Sequence, residues 1–288
     1  MTDLLSLGAD VDWPDHEAAT AVRERFAARA GYGHLAALAE WVASIGAPEA
    51  GFRRVRGLVA GAPQHLETAD AVGAELIELD LSADARAAFD AAVKLVDDEV
   101  DAGADLLLLA VPGFGADIAI AASVVTSTEP VKVLSRGAAA TAPEEWMRLA
   151  GAVRDERRRC LMLRDRPDEL LAAIGSARLA AAAGVAMRAA VRRTPLILDG
   201  PAAAVGALVA YEAAPRAVRW WCAADVGDDP VHDLALTRLG QRPVLGLGTS
   251  LGDGLAGLLA VPVLQTAVRL ATGEAAPEAA REAAGDPQ

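Results

Sequence analysis

Short apolar runs recur along the chain from about residue 55 onward. Each run is a few residues long and is bounded by glycine, proline or acidic residues, which is typical of buried strands. The runs cover Arg56–Ala60, Glu75–Leu79, Asp105–Val111, Val131–Leu134, Thr194–Asp199, Ala217–Ala224 and Pro243–Leu245. We predict a strand at each of them.

The segments between these runs carry apolar residues at helical spacing. They cover Ser82–Ala102, Asp117–Thr126, Pro143–Arg157, Pro167–Val191, Ala202–Ala213, His232–Leu239 and a last helix that begins at Leu255. Because strands and helices alternate, we predict a three-layer, doubly wound α/β fold with a mostly parallel sheet. In such a fold the ligand pocket is expected at the carboxyl ends of the strands.

Two further helical segments precede the first strand. Asp15–Ala30 and His34–Ile45 flank Gly31-Tyr-Gly33 and predict an N-terminal helical hairpin. We therefore divide the chain into a helical segment (1–50), an α/β domain (51–272) and a disordered tail (273–288). The tail is rich in alanine, glutamate, glycine and proline, a composition that buries too little apolar surface to become ordered.

The charge of the chain limits its partners. The formal net charge is −13, and Lys94 and Lys132 are the only lysines among 27 basic residues. Nucleic acid and anionic membrane surfaces are therefore poor partners. No apolar run approaches the ~20 residues of a membrane span. The N-terminus carries acids and no basic segment before an apolar one, so we expect a cytoplasmic protein.

Cysteine and histidine spacing argues against a metal centre. Cys160 and Cys222 lie far apart and outside any CxxC motif. The four histidines are spread along the chain: His16, His34, His65 and His232. We therefore expect neither a disulfide framework nor a bound metal.

The stretch Gly246–Val261 combines five glycines, one carboxylate and the start of a long apolar helix. Its glycines permit positive φ angles and let a ligand lie close to the main chain. Asp253 is the only ionisable group in the stretch. It is either the cap of the following helix or a catalytic carboxylate in a glycine-lined pocket, and the local sequence leaves both open.

A second glycine turn joins the strand Asp105–Val111 to the next helix. Gly113 and Gly115 could present amides to a phosphate at that helix start, and Arg136 could add a positive charge. The alternatives are a ligand-free turn and a surface arginine. Asp117 opposes phosphate binding, because a carboxylate at the helix start would repel a phosphate if it pointed at the loop. Asp199 ends a strand and either caps the next helix, the interpretation we favour, or faces the pocket.

The last third of the chain resembles the nicotinate-nucleotide:dimethylbenzimidazole phosphoribosyltransferase family. Three blocks carry the resemblance: Pro195-Leu-Ile-Leu-Asp-Gly200, Asp229-Pro230 followed by His232, and Leu251-Gly-Asp-Gly254 running into Leu258–Leu264. Five blocks nearer the N-terminus occur in the same order as in the family: Gly31–Leu35, Leu58–Gly61, Pro112–Gly115, Ser135–Gly137 and Leu171–Gly175. The resemblance covers roughly residues 30 to 272.

The polar residues of these blocks differ more from the family than the glycines do. Ala62-Pro63 stands where the family has Asp-His, and Ala116-Asp117 stands where it has Asn-Thr. Arg178 replaces a glutamate, and Ala224-Asp225 replaces Ser-His. Asp253 occupies the position of the family's catalytic glutamate with a side chain one methylene shorter.

The resemblance implies a homodimeric enzyme that needs no cofactor and transfers phosphoribosyl from nicotinate mononucleotide to dimethylbenzimidazole or a similar base, as in assembly of the cobalamin lower ligand. Asp253 is then the general base. The expected substrate contacts are Gly113, Gly115, Arg136, Gly137, Gly175, Asp199, Gly252 and Gly254. A second hypothesis follows from the altered polar residues: a non-catalytic homologue that binds or regulates an active paralogue.

Overall fold

The computed structural model describes residues 3–27, 31–81, 84–135, 142–249 and 251–273. Within these ranges five strands form one sheet: β1 Val55–Ala60, β2 Ala74–Leu79, β3 Leu106–Ala110, β4 Leu196–Asp199 and β5 Trp221–Ala223. The strand order is β2-β1-β3-β4-β5, and each neighbouring pair is parallel. The predicted doubly wound α/β fold is confirmed, and the order changes direction between β1 and β3.

Helices flank the sheet. Those before β3 are α1 Leu4–Ala9, α2 His16–Ala27, α3 His34–Ser44, α4 Leu66–Ala71 and α5 Ala85–Asp101. Those that follow are α6 Ala116–Val125, α7 Pro130–Val133, α8 Pro143–Cys160, α9 Pro167–Ile174, α10 Ala177–Val191, α11 Gly200–Ala213, α12 Pro230–Leu239 and α13 Leu255–Thr272. The predicted N-terminal hairpin is α2 packed against α3.

The centre of the core is β3. All five of its residues are buried, because helices cover both faces of this strand and an unbroken apolar run suits that position. A Cβ on Gly257 would collide with the Leu108 side chain, and a Cβ on Gly57 would collide with Leu76 and lie 3.2 Å from Leu108. The first turn of α13 is thereby held close against the sheet.

The helix α13 is long and apolar enough to cross a membrane, judged by length and composition alone. In the fold it contacts α3, β3 and β4. Its buried residues, which include Leu258, Val261 and Leu264, face these elements. The helix is therefore accounted for as a core helix of the α/β fold.

Four sequence predictions of secondary structure were wrong in detail. Val131–Leu134 is not a strand, because Pro130 begins the short helix α7 with its fixed φ. Ala217–Ala224 contains a 3₁₀ helix up to Trp220, and β5 begins only at Trp221. Pro243–Leu245 makes two backbone hydrogen bonds to the end of β5 and the residue after it, but it forms no strand.

The fourth correction concerns Pro167–Val191, which was predicted as one helix. It divides into α9 and α10 because Gly175 takes a left-handed conformation (φ 68°) and Ser176 caps the second helix. The helix α1 was missed, and its first amide donates to the Asp168 carboxylate at 2.8 Å. Apart from Gly273, the predicted tail lies outside the described residues.

Candidate active site

The candidate site lies at the carboxyl ends of the strands, where β1 and β3 adjoin and the strand order reverses. In open α/β sheets this crevice is the usual ligand position. Three backbone segments meet there. They are the loop after β1, the Gly113–Gly115 turn after β3, and the glycine stretch that precedes α13.

Glycines allow the stretch before α13 to lie directly on the strand ends. Gly252 has φ 67°, and a Cβ on it would lie 2.8 Å from the Val111 carbonyl oxygen. A Cβ on Gly200 would collide with Gly252. The Gly113 amide donates to the Leu251 carbonyl at 3.4 Å. Glycine is therefore needed at position 252 for backbone contact, and the predicted contact of Gly252 with substrate stays a prediction.

Asp225 anchors the start of this stretch. Its buried carboxylate accepts hydrogen bonds from the amides of Leu247 and Thr249, at 2.9 and 2.8 Å, and from the Thr249 hydroxyl at 2.8 Å. Burial alone would raise the pKa of Asp225, but these donors outweigh it and hold the pKa below its ordinary value. The carboxylate is therefore ionised and fixes the loop.

The Asp253 carboxylate contacts the start of the following helix and His65, and its catalytic role stays a prediction. One carboxylate oxygen accepts from the Leu255 amide at 3.2 Å, at the start of α13. The other lies 2.9 Å from Nε2 of His65. The cap residue itself is Gly254, with φ 98°. Asp253 thus binds the helix start through one oxygen and reaches across to the β1 loop through the other.

The prediction that the Asp199 side chain caps the following helix, α11, was wrong. The Asp199 side chain makes no cap bond to α11, and instead accepts from the Gly257 amide in α13 at 2.9 Å. It turns away from α11 because the first turn of α13 offers unpaired amides beside it. Burial, and then repulsion from Asp253 and Asp225, raises the pKa of Asp199 to about 6.

This raised pKa gives Asp199 a pH-dependent effect on stability. A carboxyl with a folded pKa above its unfolded value stabilises the fold most below the unfolded pKa of 3.8, and that contribution is lost as pH rises through about 6. Asp199→Asn cannot ionise. We expect it to raise the free energy of unfolding at pH 7 by about 1–2 kcal/mol.

Denaturant unfolding of both proteins at pH 4 and pH 7 measures the effect. We expect the advantage of Asp199→Asn to vanish near pH 4. His232 is buried, and burial lowers its pKa to about 4, but it titrates alike in both proteins and cancels in the difference. An equal difference between the two proteins at both pH values would contradict the assignment.

An ion pair occupies the second glycine turn. The Arg178 guanidinium binds Asp117 through two hydrogen bonds, at 2.8 and 2.5 Å, and the Ser176 hydroxyl donates to the same carboxylate at 2.5 Å. These partners outweigh burial and lower the pKa of Asp117. A Cβ on Gly115 would collide with Arg178. The negative charge of Asp117 is therefore balanced by Arg178. Arg178 also lies near Gly113.

Of the remaining residues predicted to contact substrate, two are helix caps and two lie outside the described residues. Gly175 is the C-cap of α9, and its φ of 68° turns the chain so that Ser176 reaches Asp117. Gly254 is the N-cap of α13. Arg136 and Gly137 lie outside the described residues.

Two site residues, His65 and Arg178, were missed from the sequence as functional candidates. His65 lies two residues beyond Ala62-Pro63, where the resembling family has an Asp-His pair, and that offset was the available signal. Arg178 and Asp117 both depart from the family's residues, and their opposite charges were the signal for a pair. Among the described residues no cluster of histidine, cysteine or acidic side chains could hold a metal.

Apolar side chains are exposed beside these polar groups. Phe114 is 38% exposed, and Leu247 and Leu251 are exposed as well. The hydrogen bond between Gly113 and Leu251 brings the turn that carries Phe114 next to the loop that carries Leu251. The site therefore exposes apolar surface next to carboxylates.

The sheet order and the loops at its carboxyl edge define a doubly wound α/β protein with a carboxylate-containing candidate site. A family model described as phosphoribosyltransferase matches residues 81–281. The chain belongs to this phosphoribosyltransferase family. The N-terminal helices, β1 and His65 precede the matched region.

Curated relatives carry the name nicotinate-nucleotide–dimethylbenzimidazole phosphoribosyltransferase. The protein from Mycobacterium ulcerans is 44% identical over 184 residues, 63% of this chain and 51% of the relative. That from Mycobacterium avium is 43% identical over 201 residues, 69% of this chain and 55% of the relative. The chain thus spans about half the length of the curated relatives it matches.

Two solved structures share the fold. CobT from Thermus thermophilus has a TM-score of 0.73 and 24% identity, covering 88% of this chain and 96% of that one. A nicotinate-nucleotide-dimethylbenzimidazole phosphoribosyltransferase from the same organism has a TM-score of 0.76 and 23% identity, covering 94% and 100%.

Proposed function

We propose that the protein transfers phosphoribosyl from nicotinate mononucleotide to dimethylbenzimidazole or a similar base. One observation carries the proposal. Asp253 lies on a glycine loop over the strand ends, and its second oxygen is directed at the histidine of the adjoining loop, at 2.9 Å. The names of the relatives support the choice of substrates.

The chemistry needs a carboxylate at this position. A ring nitrogen of the incoming base attacks the anomeric carbon, nicotinate leaves with the electron pair of the broken bond, and the attacking ring must lose its N–H proton. The negative charge of Asp253 drives that proton loss. The same charge also stabilises the positive charge that develops on the ribose.

The surroundings of Asp253 suit an aromatic acceptor. Phe114 and Leu251 are large apolar side chains that remain exposed on adjoining loops. Covering them with a flat ring removes apolar surface from water, and Phe114 can stack on the ring. These contacts favour dimethylbenzimidazole or a base of similar shape.

The second glycine turn supports nucleotide binding. The start of α6 leaves amides unpaired, and Arg178 supplies the positive charge that offsets Asp117. The nucleotide phosphate would bind at this turn, within reach of Gly113 and Gly115. Arg136 remains a further candidate for the same anion.

The protein is proposed to be a cytoplasmic homodimer, with the α2–α3 hairpin as the contact. Its net charge of −13 disfavours nucleic acid and anionic membrane as partners. Sedimentation at micromolar concentration tests the dimer, and a monomer would contradict it.

Incubation with nicotinate mononucleotide and dimethylbenzimidazole tests the activity. We expect riboside phosphate and free nicotinate, detected by liquid chromatography with mass spectrometry. Asp70→Asn, at an exposed carboxylate on α4, is the matched control and should keep full activity. Absence of product with the wild type, across a panel of related bases, would contradict the proposal and favour a non-catalytic homologue.

A further inference from the structure

His65 has a backbone conformation that non-glycine residues rarely adopt. Its φ is 57° and its ψ is 35°, in the left-handed region. This conformation costs about 1–2 kcal/mol for a residue with a Cβ. Residues kept in such conformations cluster at functional sites. In His65 the conformation accompanies a side chain directed at Asp253.

The hydrogen bond to Asp253 fixes the proton on the His65 ring. An ionised carboxylate can only accept, so Nε2 must donate across the 2.9 Å contact. In the neutral imidazole the lone pair then resides on Nδ1, the other ring nitrogen. Nδ1 is therefore the basic atom of the pair, as in dyads where a carboxylate orients a histidine.

Asp253 itself is poorly placed to meet a substrate. Its oxygens contact the Leu255 amide and His65, and its side chain is only 15% exposed, against 26% for His65. It is also one methylene shorter than the glutamate that the family resemblance places there. An imidazole hydrogen-bonded to the carboxylate extends the reach of Asp253 by one ring.

We propose that His65 is the catalytic residue that takes the proton from the acceptor base, and that Asp253 is the positioning residue behind it. This inference rests on the proposed function. The acceptor nitrogen forms the bond to the anomeric carbon as the bond to nicotinate breaks, and nicotinate keeps the electron pair. The acceptor's N–H proton moves to Nδ1 of His65, Asp253 stabilises the resulting imidazolium, and water later removes the proton.

The first test reads the dyad without any turnover. Nitrogen NMR of ¹⁵N-histidine-labelled protein at pH 8, with the His65 signal assigned by its loss in His65→Gly, reports which ring nitrogen carries the proton. We expect the Nε2–H form in the wild type and a mixture of tautomers in Asp253→Ala. A wild-type ring protonated on Nδ1, or a tautomer unaffected by Asp253→Ala, would overturn the inference.

The second test is chemical rescue. His65→Gly should fold well because glycine adopts positive φ freely. We expect its kcat to fall about 100-fold, within the range for a general base. Added imidazole should raise the kcat of His65→Gly at least about tenfold. Ser127→Gly is the matched control, since exposed Ser127 has the same φ of 57°, and it should keep wild-type kcat with no imidazole effect.

The outcomes separate the two proposals. An active wild type with unchanged kcat in His65→Gly, or an activity loss that imidazole does not restore, overturns the role of His65 and leaves the phosphoribosyl transfer standing. An inactive wild type overturns the transfer and the catalytic role of His65 together. The NMR result then shows separately whether Asp253 orients the ring.

Discussion

Asp253→Asn is expected to lower kcat about 1,000-fold, because it removes the charge that drives proton loss from the acceptor base. The amide has nearly the same shape, and its oxygen can keep the 3.2 Å bond to the Leu255 amide. The KM values should change little, since Asp253 acts on proton transfer through His65 and does not itself bind the substrates. Steady-state kinetics with each substrate varied in turn measure both constants.

Stability separates this effect from unfolding. Asp253 contributes to the repulsion that raises the pKa of Asp199 to about 6, so Asp253→Asn should leave the free energy of unfolding at pH 7 unchanged or raise it. Asp70→Asn carries the same charge change on an exposed helix and should keep wild-type kcat. A kcat within a few-fold of wild type in Asp253→Asn would remove Asp253 from the mechanism.

Arg178→Ala is expected to raise the KM for nicotinate mononucleotide about 10- to 100-fold, the range for losing hydrogen bonds to a charged group. The substitution removes the cation near Gly113 and leaves Asp117 uncompensated beside the phosphate. The kcat should change less, because the phosphate is remote from the bond that breaks. Initial rates against nucleotide concentration give both values.

A double variant tests the cause. Asp117→Asn combined with Arg178→Ala removes the repelling carboxylate as well, so part of the lost affinity should return. Arg158→Ala, at an exposed arginine on α8, is the matched control and should leave the KM unchanged. A nucleotide KM unaffected by Arg178→Ala would place the phosphate elsewhere, with Arg136 the next candidate.

The fold was predictable because its core strands are short apolar runs that alternate with segments of helical periodicity. The run Leu106–Ala110 is apolar without a break, which identifies a central strand buried on both faces. The errors lie where a local signal overrode an apolar run. Pro130 starts a helix in the segment predicted as a strand, and Gly175 divides a segment predicted as one helix.

The site was predictable only where a single segment carries it. Asp253 and its glycines are adjacent in sequence, so the stretch was recognisable. His65 and Asp253 lie 188 residues apart, and Asp117 and Arg178 lie 61 apart. Such pairs come together only through the sheet order. The Asp199 cap was assigned to α11 because the adjoining start of α13 is invisible in a linear sequence.

The most direct measurement of the central claim is nicotinate release with and without the acceptor base. If Asp253 and His65 remove a proton from the acceptor, nicotinate should appear only when dimethylbenzimidazole is present, with one riboside phosphate formed for each nicotinate. Release at the same rate from the nucleotide alone would show hydrolysis and contradict the account.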